Sequence, residues 1–487
     1  MPGQGFWDNP PNRHCEVRSN LPIGVADMHS LEIASFLAMT RGGNNGKENI
    51  KMKFYSTNNT DLRVGFKEAV FNSMPQDKGL YMPVEIPRLD DKFLSHLDEY
   101  TLPEIAYHVA KNLLADDIPA DDLKAIIHDA INFYAPVVKL EENIYVLELF
   151  HGPSLAFKDF GARFMSRVMS YFLEEGEKQL DVLVATSGDT GGAVALGFLG
   201  VPNTRVTILY PKGKVSQIQE LQLTTNGQNI RALEIDGTFD DCQALVKQAF
   251  TDKELNGKFR LTSANSINIA RLIPQTFYYF NAYAQLLREG ISKVVFAVPS
   301  GNFGNIGAGL LAWKMGLPVE QFIAATNAND TVPAFLKTGV YQPKPSVATL
   351  SNAMDVGNPS NWVRIADLFK EKPEALKKLI VGYTYNDEET LQSIEAISKT
   401  YDYVACPHTA IAWKALKAYQ QEHPAKDTAG VFLSTAHPCK FPDVFTKEIS
   451  DKINIPGQVK ELEKKAHHAT SLGTSFEGFK EFLLKNA

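Results

Sequence analysis

One lysine stands where its surroundings would change an amine's chemistry. Lys158 lies in the segment LELFHGPSLAFKDFGARFM, flanked by Leu155, Ala156, Phe157 and Phe160, with Asp159 as the adjacent charge. A lysine amine in water is protonated up to about pH 10.4, but withdrawal from solvent disfavours the charged form. The neutral amine is a nucleophile suited to Schiff-base formation with a carbonyl. Taken alone, the same residues equally describe a snorkelling lysine whose stem packs on Phe157. Its neighbours in the fold must decide.

Three other segments join a strand-like run to glycines and hydroxyls. In VLVATSGDTGGAVALGFLG the strand runs into Ser187, Gly188, Asp189, Thr190, Gly191 and Gly192, then a helix. Backbone N–H groups at such a helix start form an anion site, although the glycines also suit close strand-to-helix packing. In VVFAVPSGNFGNIGAGLLA, Ser300, Gly301, Asn302, Phe303, Gly304 and Asn305 occupy the same place. Glycines there let backbone approach a phosphate, and the asparagines add uncharged donors. The segment has neither the lysine end of a Walker loop nor G-x-G-x-x-G spacing, which disfavours a nucleotide. In VFLSTAHPCKF a strand delivers Ser434, Thr435 and His437 to an edge, where the hydroxyls either meet a ligand or cap a turn. A fourth segment, ANSINIARL, places Asn265 and Ser266 ahead of Arg271. Arginine offers a planar fork to phosphate oxygens, and the competing reading is a helix cap plus a surface arginine.

No spacing singles out His151, His408 or His437 as proton carriers, and all three read as structural. Cys15, Cys242, Cys406 and Cys439 are scattered, without a C-x-x-C pair or a tetrahedral metal pattern, and read as reduced thiols. No metal is expected. The formal charge of -7 argues against a constitutive nucleic-acid or anionic-membrane partner, and no apolar run is long enough to span a bilayer.

The elements that must position these groups follow from periodicity. At 487 residues the chain should hold about three units. The runs IYVLELF, DVLVATS, RVTILYP, VVFAVPS, FIAATN and VFLSTA alternate with amphipathic stretches. That order predicts an α/β fold, a parallel sheet with helices on both faces and ligands at the carboxyl ends of its strands. Ahead of it, helical patterns at 102–114 and 121–134, the latter opened by an Asp cap after Pro119, predict a helical N-terminal domain. Residues 1–51 carry helical spacing only at 30–40 and read as an extension, non-native or disordered, with Met52 as the expected start. The mixed charges of 460–487 describe solvated helix faces.

The motifs HGPSLAFKDFGARF, TSGDTGG, NSINIAR, PSGNFGN and STAHPCKF, in this order and spacing, resemble the threonine synthase family in its longer bacterial and fungal form. The resemblance runs from Met52 to about Phe445. It implies a tryptophan-synthase-β-like, fold type II pyridoxal-phosphate enzyme with twisted, mostly parallel sheets flanked by helices. The implied division is an N-terminal domain at 52–145, a cofactor-binding core at 146–445 with a smaller subdomain at about 178–260, and a helical C-terminal tail at 446–487. Lys158 would carry pyridoxal 5'-phosphate as a Schiff base. Gly301, Asn302, Phe303, Gly304 and Asn305 would cradle its phosphate, Thr435 would meet its ring nitrogen, and Asp189 would face its phenolic oxygen. Many fold type II relatives have asparagine where Asp189 stands. Ser187 and Thr190 would hold the substrate carboxylate, and Asn265, Ser266 and Arg271 the substrate phosphate. The implied reaction converts O-phospho-L-homoserine and water to L-threonine and phosphate, by γ-elimination and β-hydration, as the last step of threonine biosynthesis. A cytoplasmic monomer or homodimer is expected. The alternatives are another fold type II lyase, such as a serine/threonine dehydratase, which does not need the site at Asn265–Arg271, and a catalytically silent phosphoamino-acid-binding relative.

Overall fold

Strands that are apolar along nearly their whole length are stable only with both faces covered, and three of the predicted runs have this character. In the computed structural model, which describes residues 53–174 and 176–486, all six residues of β6 (Leu180–Ala185), β10 (Val294–Pro299) and β13 (Ala429–Ser434) are buried. The expectations for residues 1–51, for Met52 and for Cys15 lie outside the described residues.

Two sheets carry these strands. One has the order β12 (Ile380–Thr384), β11 (Gln321–Thr326), β10, β13, β5 (Ile144–Glu148), β4 (Val137–Glu141). It is parallel except for β4, which pairs antiparallel to β5 at the edge. The other has the order β14 (Ala469–Leu472), β8 (Ile230–Ile235), β7 (Thr204–Pro211), β6, β9 (Arg260–Ser263) and is parallel throughout. The predicted alternation therefore resolves into two sheets. β10 and β13 are neighbours in the first, and β6 and β9 are neighbours in the second. The four polar motifs follow these four strands, so sheet pairing brings them together two by two.

The N-terminal segment contains the helix Leu102–Leu114, opened by a capping box between Thr101 and Glu104. The next helix runs Ala120–Ala130, with Pro119 at its N-cap. Asp121 and Asp122 therefore sit in its first turn, where they favour the helix dipole, and Asp121 is not the cap. It stops short of Tyr134 because Arg163 takes its last carbonyls, those of Asp129 and Ala130. A small antiparallel sheet, β2 (Asn59–Val64), β1 (Phe54–Ser56), β3 (Tyr81–Pro83), accompanies these helices. β2 is polar and largely exposed, so it carries no apolar alternation to read.

The C-terminal tail holds helices and also β14, which adds to the edge of the second sheet beside β8. Its last helix, Phe476–Lys485, buries Phe479 and Leu483 against β7, β8 and the helix Phe239–Thr251. Among the described residues no helix is long and apolar enough to cross a membrane.

Candidate active site

Lys158 opens the helix Lys158–Phe172 at the end of a loop stitched to β13. Leu149 N–H donates to the Ser434 carbonyl at 2.9 Å, Phe157 N–H to the Thr435 carbonyl at 2.9 Å, and His437 N–H to the Leu155 carbonyl at 3.0 Å. These bonds set Thr435 beside the lysine. Leu155 is held at a left-handed φ of 60°, an unfavourable conformation for a branched residue that the stitching sustains. Lys158 Nζ donates to Thr190 Oγ1 at 2.7 Å. Burial lowers its pKa to about 8; Asp189 opposes that shift, while Arg271 and Lys440 add to it. The residue as a whole is partly accessible.

The loop after β6 is organised by Thr186, whose hydroxyl accepts the Gly188 N–H at 2.9 Å and the Gly191 N–H at 2.8 Å. Gly188 has φ 128°, and a Cβ there would lie 2.4 Å from Gln219 Cδ. Ser187 and Thr190 are partly accessible beside it, whereas Asp189 is buried. Asp189 Oδ1 lies 2.8 Å from Lys440 Nζ and accepts from Gln219 Nε2 at 3.0 Å. Burial alone would raise this carboxyl, but the Lys440 and Lys158 ammonium groups, with His408, outweigh it and hold it below the usual carboxylate range. The sequence reading passed over Lys440 and Gln219. A basic residue beside Phe441, just past a strand end, was the available signal for Lys440.

The loop after β10 opens a helix and carries an unpartnered amide donor. Phe303 adopts a left-handed φ of 59° and caps the helix Gly304–Lys314, whose first amides have no acceptor within the helix. Asn305 Oδ1 accepts from the hydroxyls of Tyr278 (2.6 Å) and Tyr279 (2.8 Å), which orients its amide, and its buried Nδ2 has no partner. An orphaned donor beside free helix amides fits an anionic oxygen. Gly301 packs against the backbone of Met354. Asn302 spans to two neighbours, donating to Ser266 Oγ at 2.6 Å and accepting from Ser360 N–H at 2.6 Å. Asn361 and Arg364, which sequence reasoning missed, hold the same corner: Asn361 donates to the Asn302 carbonyl, and Arg364 Nη1 donates to Asn361 Oδ1.

The segment after β9 joins the two sheets. Asn265 Nδ2 donates to the Ala185 carbonyl at the end of β6 (3.0 Å), while Ser266 receives Asn302 from the β10 loop. The helix cap is Asn268, whose side chain accepts Ala270 N–H and donates to the Val70 carbonyl. Arg271 is buried, not a surface residue. Its Nη1 donates to the Ala264 carbonyl, and its Nε has no partner. A Cβ at Gly161 would lie 2.7 Å from that Nε, so the glycine lets the guanidinium lie one turn from Lys158. Burial lowers its pKa to about 10, which leaves it cationic at neutral pH. Asp159 turns away from Lys158 to accept the Ser154 N–H at 2.9 Å, and burial raises it to about 6.

Of the histidines, His151 pairs with Glu148 at 2.7 Å and His437 accepts Cys439 N–H. His408 is buried against Phe441, and burial pushes it down to about 4, so it is neutral near pH 7.

An amine of lowered basicity, near a loop with free helix amides and an orphaned amide donor, is consistent with what is found among known proteins. Residues 53–131 match the family described as "Threonine synthase N terminus", residues 132–435 "Pyridoxal-phosphate dependent enzyme", and residues 409–483 "Threonine synthase, C-terminal". Threonine synthase of Escherichia coli is 46% identical over 418 residues, which cover 85% of this chain and 94% of that protein. Its crystal structure superposes with a TM-score of 0.83 at 42% identity, covering 90% of this chain and 100% of that one. The crystal structure of pyridoxal-phosphate-bound threonine synthase from Brucella melitensis gives 0.81 at 34% identity, covering 89% and 99%. Matches at both ends of the chain disfavour the dehydratase and silent alternatives. The chain belongs to the threonine synthase family of pyridoxal-phosphate-dependent enzymes.

Proposed function

We propose that this chain converts O-phospho-L-homoserine and water to L-threonine and phosphate, with Lys158 as the reactive amine. The observation that carries the reading is the Lys158 amine itself. It is lowered to about pH 8 and bonded to the Thr190 hydroxyl at 2.7 Å, where the polar ends of both sheets converge. Lys158 would hold the cofactor covalently. Gly301 to Asn305 would hold its phosphate through the helix amides and Asn305 Nδ2, and Thr435 would meet its ring nitrogen. A hydroxyl there does not enforce a pyridinium as a carboxylate would. Bound pyridoxal phosphate supplies an electron sink for charge developed along the amino-acid carbon chain.

With cofactor and substrate bound, the Lys158 amine would be placed to move protons at the substrate Cα, Cβ and Cγ. Ser187 and Thr190 hold the substrate carboxylate, and water adds at Cβ after the γ-phosphate leaves. Arg271 supplies the cationic contact to that phosphate through its free Nε, while Asn265 and Ser266, whose side chains join the two sheets, fix the loop that carries it. Asp189 acts as a buried carboxylate beside the amine. The same reading takes 52–145, 146–445 and 446–487 as the functional divisions, and places the enzyme in the cytoplasm as a monomer or homodimer.

The test is to load the protein with pyridoxal phosphate, supply O-phospho-L-homoserine, and measure phosphate and threonine released. Both products from the wild type and loss of turnover in Lys158→Ala are expected. Wild-type turnover in Lys158→Ala would sink the assignment of the amine, and phosphate release without threonine would sink the reaction.

A further inference from the structure

A cation with zero side-chain exposure lies next to the reacting amine, outside every role assigned above. Lys440 follows β13 in a short helical turn, and its ammonium lies 2.8 Å from Asp189 Oδ1 and donates to the Ser154 carbonyl at 2.9 Å. Asp189 is almost as deeply buried, and its Oδ1 has one further donor, Gln219 Nε2 at 3.0 Å. On the other side of Asp189 in the chain, Thr190 takes the Lys158 amine. Asp189 is thus paired with Lys440, while the hydroxyl of the adjacent residue, Thr190, holds Lys158.

We propose that Lys440 is a positioning residue: by occupying Asp189 it leaves the Lys158 amine on the Thr190 hydroxyl instead of in an ion pair. A buried carboxylate that loses its partner either takes up a proton or recruits the nearest counter-ion. That counter-ion is Lys158. An ion pair with Asp189 would keep Lys158 protonated and oriented away from its reaction partner, since an opposite charge at close range favours the charged form by roughly 1–3 pH units. The groups facing this cluster are few. Lys158 is faced by Asp189, Arg271 and Lys440, and Asp189 by Lys440, Lys158 and His408. Arg271 remains cationic and His408 neutral near pH 7, and Lys440 and Asp189 are the two of these groups that touch each other.

The inference rests on Lys158 being the cofactor-binding amine. Its test is a pH titration of the visible absorption of the full-length holoenzyme, whose midpoint reports protonation at Lys158 Nζ. Lys440→Met should raise that midpoint by at least about one pH unit, and Asp189→Asn should lower it. The double variant, which replaces the buried pair by neutral groups, should lie between them and close to wild type. If Lys440→Met does not fold, Lys440→Gln, which keeps a hydrogen-bond donor toward Asp189 without the charge, carries the test and should also raise the midpoint. A folded Lys440→Met or Lys440→Gln with the wild-type midpoint would overturn the proposal. A wild type whose visible band is absent, or is not trapped on Lys158 by borohydride, would instead overturn the assignment of Lys158.

Discussion

Gly301→Ala tests whether the loop after β10 is shaped for a phosphate. A methyl at position 301 would lie 2.6 Å from the Met354 Cα and 3.1 Å from the Ala353 carbonyl oxygen. Carbon atoms pack at about 3.5–4.0 Å, so the loop and the segment carrying Met354 must separate by roughly 1 Å. Both obstructing groups are backbone, and no rotamer change relieves them. The movement reaches the cradle through Asn302, which bonds Ser360 N–H and accepts from the Asn361 amide. Overpacking of this kind costs about 1–3 kcal/mol, which corresponds to roughly 5- to 150-fold in cofactor affinity if the strain falls on the loop. Equilibrium titration with pyridoxal phosphate, read in the visible, measures it. The control is Gly213→Ala, where φ is also positive at 62° but no atom lies within 4 Å. That variant should melt slightly lower and bind the cofactor as wild type does. A Gly301→Ala protein with wild-type affinity and melting temperature would refute the reasoning.

Arg271→Ala should keep the cofactor absorbance and lose about 10²–10³-fold in kcat/KM, because it removes a preorganised charge from the leaving phosphate; unchanged kcat/KM would remove Arg271 from the site. Asn305→Asp keeps the acceptor for Tyr278 and Tyr279 but replaces the free donor with charge, so the protein should melt near wild type while cofactor affinity falls at least about tenfold; retained affinity in a titration would place the phosphate elsewhere. Burial disfavours the charged form of Lys158 and lowers its pKa to about 8, so below that pH the amine is increasingly protonated and unreactive. Stopped-flow capture of pyridoxal phosphate by cofactor-free protein should quicken about tenfold from pH 6 to 7 and level off above pH 8–9; a rate still rising tenfold between pH 9 and 10 would restore the lysine to its solution value.

The chemistry-bearing segments were legible because each is a local pattern. An apolar run ending in glycines and hydroxyls names a strand end, and a lysine among apolar residues names a candidate amine. The β-branched runs that became β5, β6, β7, β10, β11 and β13 were legible for the same reason, since buried parallel strands are apolar throughout. β2 and β14 were not, because both are largely exposed edge strands without a continuous apolar run. The end of the helix at Ala130 was equally hidden, since it depends on Arg163, 33 residues away.

What the sequence determined by itself was which residues could react and that they sit at strand ends. Only the tertiary structure decided which strand ends meet. Pairing of β10 with β13 and of β6 with β9 sets the motifs side by side, and the Asn265–Ser266 dipeptide joins the two pairs. Tertiary structure also turned Asp159 away from its sequence neighbour Lys158, and brought Lys440, 282 positions distant, near enough to act on it. The physical reason is range. Periodicity and turn chemistry act over a few residues and are written in the chain, whereas burial and Coulomb interaction depend on distance through space, which folding alone sets.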